Sequence, residues 1–122
     1  MTTLTKGKTP GDWLMFEEGA QYSRDTRTIG SGADLGSGTV LGEVTASKKL
    51  VACNPGASDG SEVAKAVLLN PAQAETEDVV GVVIARHAIV RRLGLTFGAG
   101  FATQAQRDTA MEQLLAVGIK SN

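Results

Sequence analysis

Residues 79–90 read VVGVVIARHAIV, the longest stretch rich in β-branched residues in the chain. The branched side chains of Val and Ile pack well on a pleated sheet, so this composition favours a strand. We therefore expect residues 79–90 to form one core strand, with the rest of the fold built around it.

Five other segments carry strand signals of differing strength. Residues 39–46 alternate between two faces, and a short turn at Ser47 and Lys48 leads into a second strand over residues 49–53. Residues 63–69 form a third candidate, and residues 93–97 alternate as a half-buried strand does. The signal over residues 21–29 is weak, because strict alternation is missing there.

Loops are expected where glycine, proline and polar residues cluster. Residues 30–38 hold four glycines, residues 54–60 form a turn cluster, and residues 70–78 are polar after Pro71. With 122 residues and 12.6 kDa, the chain is expected to form one domain with a modest core.

The C-terminal segment changes to a helical period. Thr103 is a good N-cap, Gln106 completes a capping box, and Gly118 stands where a helix would end. One face carries Ala110, Met111, Leu114 and Leu115. The sequence predicts a helix over residues 104–117 and an α+β fold that is mostly β.

Composition excludes several classes of function. The net charge of −1 argues against a dedicated nucleic-acid binder, which normally carries a basic excess. One cysteine, Cys53, rules out an intrachain disulfide, and with a single histidine, His87, no metal site is expected. No cofactor is expected either.

The sequence also shows no group of residues with the types and spacing of a catalytic site. His87 lies within a strand-like run, where a solvent-facing or interface role is favoured over a general base. The carboxylates at Glu17, Glu18 and residues 75–78 lie in loop-like sequence, and the arginines Arg86, Arg91 and Arg92 are typical of a surface or an interface. The chain is not expected to be an enzyme.

The N-terminal segment leaves two interpretations open. Residues 1–12 are polar and predict a mobile arm, whereas Trp13-Leu14-Met15-Phe16 is the densest apolar cluster in the first third of the chain. This cluster is either a first strand packed on its own core or a docking segment that anchors aromatic side chains on a partner. The two are compatible if the segment orders only on assembly.

Apolar runs are too short to cross a bilayer, and the first ten residues lack the features of a secretory signal. We therefore expect no membrane partner and synthesis in a reducing cytoplasm, where Cys53 would be a small buried apolar residue.

Several short pieces, taken in order and spacing, resemble the lambda-like head decoration proteins of tailed bacteriophages. These pieces are Tyr22-Ser23-Arg24-Asp25, Gly38-Thr39-Val40-Leu41-Gly42, Asp59-Gly60-Ser61-Glu62 with residues 64–69, the strand from Val79, Leu95-Thr96-Phe97, and a helix closing on Gly118-Ile119. The resemblance covers roughly residues 13–119, and it lies in the order of the pieces, since each alone is degenerate.

This resemblance implies a compact β-barrel-like subunit (a "β-tulip") with a C-terminal helix and an extended N-terminal arm. It implies residues 1–16 as a capsid-docking arm and residues 17–122 as the core domain. No family motif specifies individual capsid contacts, and the capsid-binding residues expected from the apolar content of the arm are Leu4, Trp13, Leu14 and Phe16. In such families the arm is disordered in the free trimer and ordered on the capsid.

The resemblance further implies a homotrimer that binds the major capsid protein on the outer surface of the virion. Family trimers occupy threefold and quasi-threefold positions of the expanded head and cement it against the pressure of packaged DNA. A carbohydrate- or ligand-binding β module of a virion appendage remains the alternative, with the glycine-rich residues 30–38 as its site. The low aromatic content, 4%, speaks against that alternative.

Overall fold

The computed structural model describes residues 10–98 and 100–121. Its strands are Leu14–Glu17 (β1), Arg24–Ile29 (β2), Ala33–Leu35 (β3), Val40–Glu43 (β4), Leu50–Ala52 (β5), Ala64–Leu68 (β6), Ala72–Ala74 (β7), Val79–Ile84 (β8), Ala88–Val90 (β9) and Ile119–Ser121 (β10). The helices are Ala20–Ser23 (α1) and Gln104–Ala116 (α2), with 3-10 turns at Pro10–Asp12 and Arg92–Gly94. The prediction of a mostly β fold with a C-terminal helix is confirmed.

Five strands pair in a closed ring in the order β2-β5-β4-β6-β8, which agrees with the barrel-like subunit that the resemblance implied. The longest ladder joins β2 and β8 antiparallel, from Arg24 opposite Ile84 to Ile29 opposite Val79. Ile29 also pairs with Leu50 of β5, and this parallel contact closes the ring. The ring encloses an apolar core that includes Ile29, Leu41, Leu50, Leu68 and Val83.

A second sheet of three strands, in the order β1-β9-β10, packs with α2 over a separate core. β9 runs antiparallel to β1 and parallel to β10. The core beneath this sheet includes Trp13, Ile84, Val90, Leu114 and Ile119. Burial of these side chains is what holds the second sheet against the ring.

The prediction of one strand over residues 79–90 is wrong. The run divides into β8 in the ring and β9 in the second sheet, and the break falls at His87, whose φ of 50° is left-handed. There the His87 carbonyl accepts hydrogen bonds from the Glu18 amide and the Ser23 hydroxyl, each at 3.1 Å. One apolar stretch therefore supplies one strand to the ring and one strand to the second sheet.

Other local expectations also need correction. Residues 93–97 do not form a strand: a 3-10 turn occupies Arg92–Gly94, Leu93 is 93% exposed, and only a bridge from Thr96 to Thr39 remains. The two predicted loops over residues 30–38 and 70–78 contain β3 and β7, which pair with each other. Their strand character comes from that distant pairing and not from local sequence.

The predicted C-terminal helix is confirmed as α2. The Thr103 hydroxyl accepts a hydrogen bond from the Gln106 amide at 3.2 Å, and the Gln106 side chain accepts one from the Thr103 amide at 3.1 Å. This is the reciprocal arrangement of a capping box. Gly118 adopts a φ of 89° just after the helix and turns the chain into β10.

Candidate functional site

The candidate site is the part of the N-terminal segment that the structure describes, residues 10–18. Trp13 ends a 3-10 turn, with its amide bonded to the Pro10 carbonyl, and β1 follows at once. β1 pairs with β9 through Leu14 opposite Val90 and Glu17 opposite Ala88. The boundary expected between residues 16 and 17 therefore falls inside a strand.

Trp13 occupies a socket formed by Ser37, Gly38 and Gly94. Its side chain is 1% exposed, and its indole Nε1 donates a hydrogen bond to Ser37 Oγ at 2.9 Å. A Cβ at Gly38, whose φ is 87°, would lie 2.9 Å from the indole Cδ1. A Cβ at Gly94 would lie 2.3 Å from the Asp12 carbonyl oxygen and 2.9 Å from Trp13 Cβ. Both glycines are thus required for the close approach of this segment.

The socket continues into a buried hydrogen-bond chain. Ser37 Oγ, which accepts from the indole, donates to the Leu69 carbonyl at 2.6 Å. The Trp13 carbonyl accepts from the Arg91 amide at 2.6 Å. Since the ring, the indole N–H and the backbone of Trp13 are all engaged, the body of the protein holds this residue firmly.

Beyond Trp13, a β-bulge at Met15 changes which side chains face solvent. The register shifts between Leu14 and Phe16, so Met15 and Phe16 both point outward, 48% and 55% exposed. Phe16 lies opposite the half-buried Ile89, and Ile89 lies opposite the exposed Lys120 of β10. We call this surface of the second sheet, formed by Met15, Phe16, Ile89 and Lys120, the outward face.

Charged groups follow the outward face at the end of β1, and they are paired within the chain. Glu17 accepts two hydrogen bonds from Arg24, at 2.7 and 2.9 Å. Glu18 Oε2 lies 2.7 Å from Nδ1 of His87, and the His87 ring meets the exposed Tyr22 edge-on at 4.9 Å. These exposed pairs contribute little to stability but fix the orientation of the chain after β1.

The next pair along this border joins Arg86 and Asp25. Their side chains are hydrogen-bonded at 2.6 Å, and this bond raises the pKa of Arg86 above its ordinary value. Arg86 also lies over the Tyr22 ring, 5.8 Å from the ring centre. The border of the site is therefore a set of internally compensated charges around two aromatic rings.

The structure describes three of the four residues predicted to bind capsid, and it places them in three different environments. Leu4 lies outside the described residues, and Trp13 is buried in its socket. Leu14 is half-buried against the core, and Phe16 is exposed. For Trp13, the structure has the arrangement of a first strand packed on its own core, and Phe16 alone among the described three is more than half exposed.

Sequence reasoning missed Met15 and Ile89 as members of the outward face. The exposure of Met15 follows from the bulge, and that of Ile89 from its pairing with Phe16, neither of which has a local sequence signal. Both depend on where β1 meets β9.

Cys53, His87 and possible metal ligands were the other candidate functional groups. Burial, and secondarily the charge of Glu62, raises the pKa of the Cys53 thiol to about 11, so the thiol stays protonated near neutral pH. Over residues 10–98 and 100–121, no group of three His, Cys, Asp or Glu side chains is arranged to hold a metal ion. His87 is exposed at a strand break and engaged with Glu18.

Depressions also lie away from the N-terminal segment, and two of them bear on the interpretations above. One, of about 480 Å³, lies between α2 and β10 and is lined by residues that include Arg92, Asp108, Leu115 and Lys120. The other, of about 180 Å³, borders the glycine-rich residues 30–35, and no aromatic side chain is among the described residues that line it. A sugar-stacking site is therefore not favoured at that loop.

A family model supplies the decisive comparison. The model for bacteriophage lambda head decoration protein D matches residues 3–119. The chain belongs to this family. No curated protein matches the sequence.

Membership makes this a phage head decoration protein, and its place is the virion capsid. Families of this structural kind are not usually enzymatic. The match begins before residue 10 and ends in β10, so it covers the N-terminal segment, both sheets and α2. In the part of the chain that the structure describes, no helix has the length and apolar character needed to cross a membrane.

Proposed function

We propose that the protein is a homotrimeric cement for the phage head. It binds the major capsid protein on the outer surface of the expanded head, at threefold and quasi-threefold positions, and stabilises the head against the pressure of packaged DNA. The observation that carries this proposal is the head decoration family match over residues 3–119. Catalysis, nucleic-acid binding and membrane binding play no part, and synthesis takes place in the host cytoplasm.

Trimer formation is supported by size and by surface composition. A body of this size has a limited core, and an oligomer buries further apolar area. Exposed large apolar side chains are available for such contacts, namely Val80, Leu93 and Leu115 as well as Met15, Phe16 and Tyr22. Three linked copies also bind a lattice more tightly than one copy, without any new kind of contact.

Stabilisation of the head follows from linkage. A ligand that binds the expanded lattice and not its precursor shifts the equilibrium toward the expanded form, by an amount set by its differential affinity. No covalent step is needed. The protein then acts in proportion to occupancy of its sites.

Docking uses the N-terminal segment up to Phe16, in which the expected capsid contacts are Leu4, Trp13, Leu14 and Phe16. Phe16 is the strongest direct contact among those described, because it is exposed on the outward face. Trp13 and Leu14 would reach a capsid only if β1 detached from β9, which would break the ladder and open the core.

Light scattering during size exclusion tests the oligomer, with an expected mass of three times 12.6 kDa. Capsid addition is tested by mixing the purified protein with expanded and with unexpanded empty heads and sedimenting the heads. We expect protein on expanded heads only. A monomer that leaves expanded heads bare would overturn the proposal.

A further inference from the structure

Trp13 is held by the body of the protein in a way that Phe16 is not. Trp13 is 1% exposed and Phe16 is 55% exposed, although they are three residues apart. The indole N–H already has a buried partner in Ser37, and the Ser37 hydroxyl is bonded onward to Leu69. Moving this indole to another surface would open a cavity and leave polar groups to find new partners.

We infer that Trp13 is a positioning residue for capsid docking: it stays in its socket when the protein binds the head and fixes the position of residues 10–12 and the direction of Phe16. This inference rests on the proposed function and changes the role of Trp13 from capsid contact to internal anchor.

The register of β1 explains how a buried residue sets the direction of an exposed one. Successive side chains of a strand point to opposite faces except at a bulge, so the register of β1 and the position of its bulge decide which side chains turn outward. The Trp13 indole fits only where Gly38 and Gly94 leave room for it. With Trp13 seated, Leu14 faces the core and the bulge at Met15 brings Phe16 outward.

The position of residues 10–12 is fixed at the same place. The backbone of Asp12 lies against Gly94, and the Trp13 carbonyl is bonded to the Arg91 amide. Each copy in a trimer would therefore present its segment from a defined point. Because linked binding depends on the effective concentration of each segment at its site, a fixed position raises capsid affinity without touching the capsid.

Trp13 is the single tryptophan of the chain, so tryptophan fluorescence of the free protein reports on the surroundings of this residue alone. Replacing it biosynthetically with 5-hydroxytryptophan allows selective excitation in the presence of capsid tryptophans. We expect this probe to be shielded from acrylamide in the free protein and to keep the same emission and quenching on expanded heads. A probe that is accessible when free and becomes shielded on the head would overturn the inference.

A matched probe on the outward face provides the control. Phe16→Trp in a Trp13→Phe background moves the single tryptophan three residues along the chain. We expect that probe to be accessible in the free protein and shielded on the head. The contrast between the two positions separates an internal anchor from a capsid contact.

Two substitutions test positioning apart from folding. Trp13→Phe keeps an aromatic ring in the socket, and Trp13→Leu does not fill it. With both variants shown to be folded by circular dichroism at the assay temperature, we expect Trp13→Phe to bind heads within about twofold of the parent and Trp13→Leu to bind about tenfold more weakly. Equal binding by folded Trp13→Leu and the parent would show a merely structural role and overturn the inference.

Gly94→Ala provides a second test of the positioning role if Trp13→Leu does not fold. Its Cβ would displace the Asp12 backbone while leaving the tryptophan in the sequence, so we expect weaker capsid addition. Gly36→Ala is the control, because a Cβ there meets no atom within 4 Å. Unchanged addition by Gly94→Ala contradicts the inference, whereas failure of the parent protein itself to add to expanded heads contradicts the proposed function.

Discussion

The closed ring and the second sheet of this protein differ in how their strands are paired and in where their apolar side chains point. In the ring, each of five strands is paired on both sides, and the apolar core lies inside. In the second sheet, β1 lies at one end of the strand order, carries a bulge and turns Met15 and Phe16 outward. Ring closure favours stability, whereas an end strand with exposed apolar side chains favours contact with a partner. The comparison teaches that the closed frame and the exposed apolar face proposed for docking belong to different sheets.

The largest expected effect comes from truncating the N-terminal segment at two points. Removal of residues 1–16 takes away Trp13, and loss of a buried tryptophan side chain alone costs about 3–5 kcal/mol out of a typical 5–15 kcal/mol. We expect that truncation to unfold the second sheet. Removal of residues 1–9 leaves the socket filled, so the melting temperature should stay near that of the full chain while capsid addition falls.

Thermal melting followed by circular dichroism, with head sedimentation in parallel, checks both truncations. If the chain lacking residues 1–16 melts like the full chain, Trp13 is not part of the core. If the chain lacking residues 1–9 decorates heads as well as the full chain, those residues do not take part in docking.

Leu68→Ala should destabilise the core of the ring without changing the outward face. Leu68 is fully buried in the ring core, and such truncations cost about 2–5 kcal/mol. We expect a lower denaturation midpoint in urea, with unchanged capsid affinity at a temperature where the variant is still folded. A matching loss of affinity in the folded variant would mean that ring and docking surface are not separate.

Phe16→Ala should have the opposite effect: weaker capsid binding with nearly unchanged stability. An exposed side chain contributes little to folding, so the free energy of unfolding should change by no more than about 0.5 kcal/mol. As an aromatic contact at an interface, its loss should cost about 2 kcal/mol of binding per copy. Thr28→Ala, a change of an exposed and uncharged side chain on ring strand β2, is the control and should leave capsid titrations unchanged. Equal behaviour of the two variants would contradict the division of roles.

The smallest effect concerns an exposed ion pair where β2, β5 and β8 meet. Asp78 pairs with Lys49 and accepts a hydrogen bond from the Ser31 amide at 2.8 Å, and these partners, Lys49 first, hold the pKa of Asp78 below its ordinary value of 3.8. A lowered pKa in the folded state means that the stabilisation is present above pH 3.8 and is lost as the pH falls through the folded value.

Asp78→Asn removes this ionisation. We expect the variant to melt slightly below the parent at neutral pH and the gap to close in acid below pH 3.8. Melting curves over a pH series check the sign. A gap that widens in acid would show that Asp78 is not stabilised as a carboxylate.

Local signals were sufficient for α2 and for much of the ring. The caps at Thr103 and Gln106 lie within one helical turn, and β4 and β5 follow one another with a short connection, so neighbouring residues specify them. The strand break at His87 had no such signal. It depends on Glu18 and Ser23, which are distant in sequence and reach the His87 carbonyl only in the fold.

The candidate site was predictable as a segment and not as individual residues. The apolar cluster beginning at Trp13 marked the stretch of chain in which the candidate site lies. Whether Trp13 faces inward is decided by Ser37, Gly38 and Gly94, which lie more than twenty residues away. Long-range packing therefore sorts this cluster into a buried anchor and an exposed contact, and residue order alone does not.

Electron cryomicroscopy of expanded heads saturated with the purified protein tests the central claim most directly. We expect three copies at each threefold and quasi-threefold position, with the outward face bearing Phe16 turned toward the major capsid protein and Trp13 still seated beside Ser37. Heads without added density at those positions, or density in which the outward face points to solvent, would contradict the account.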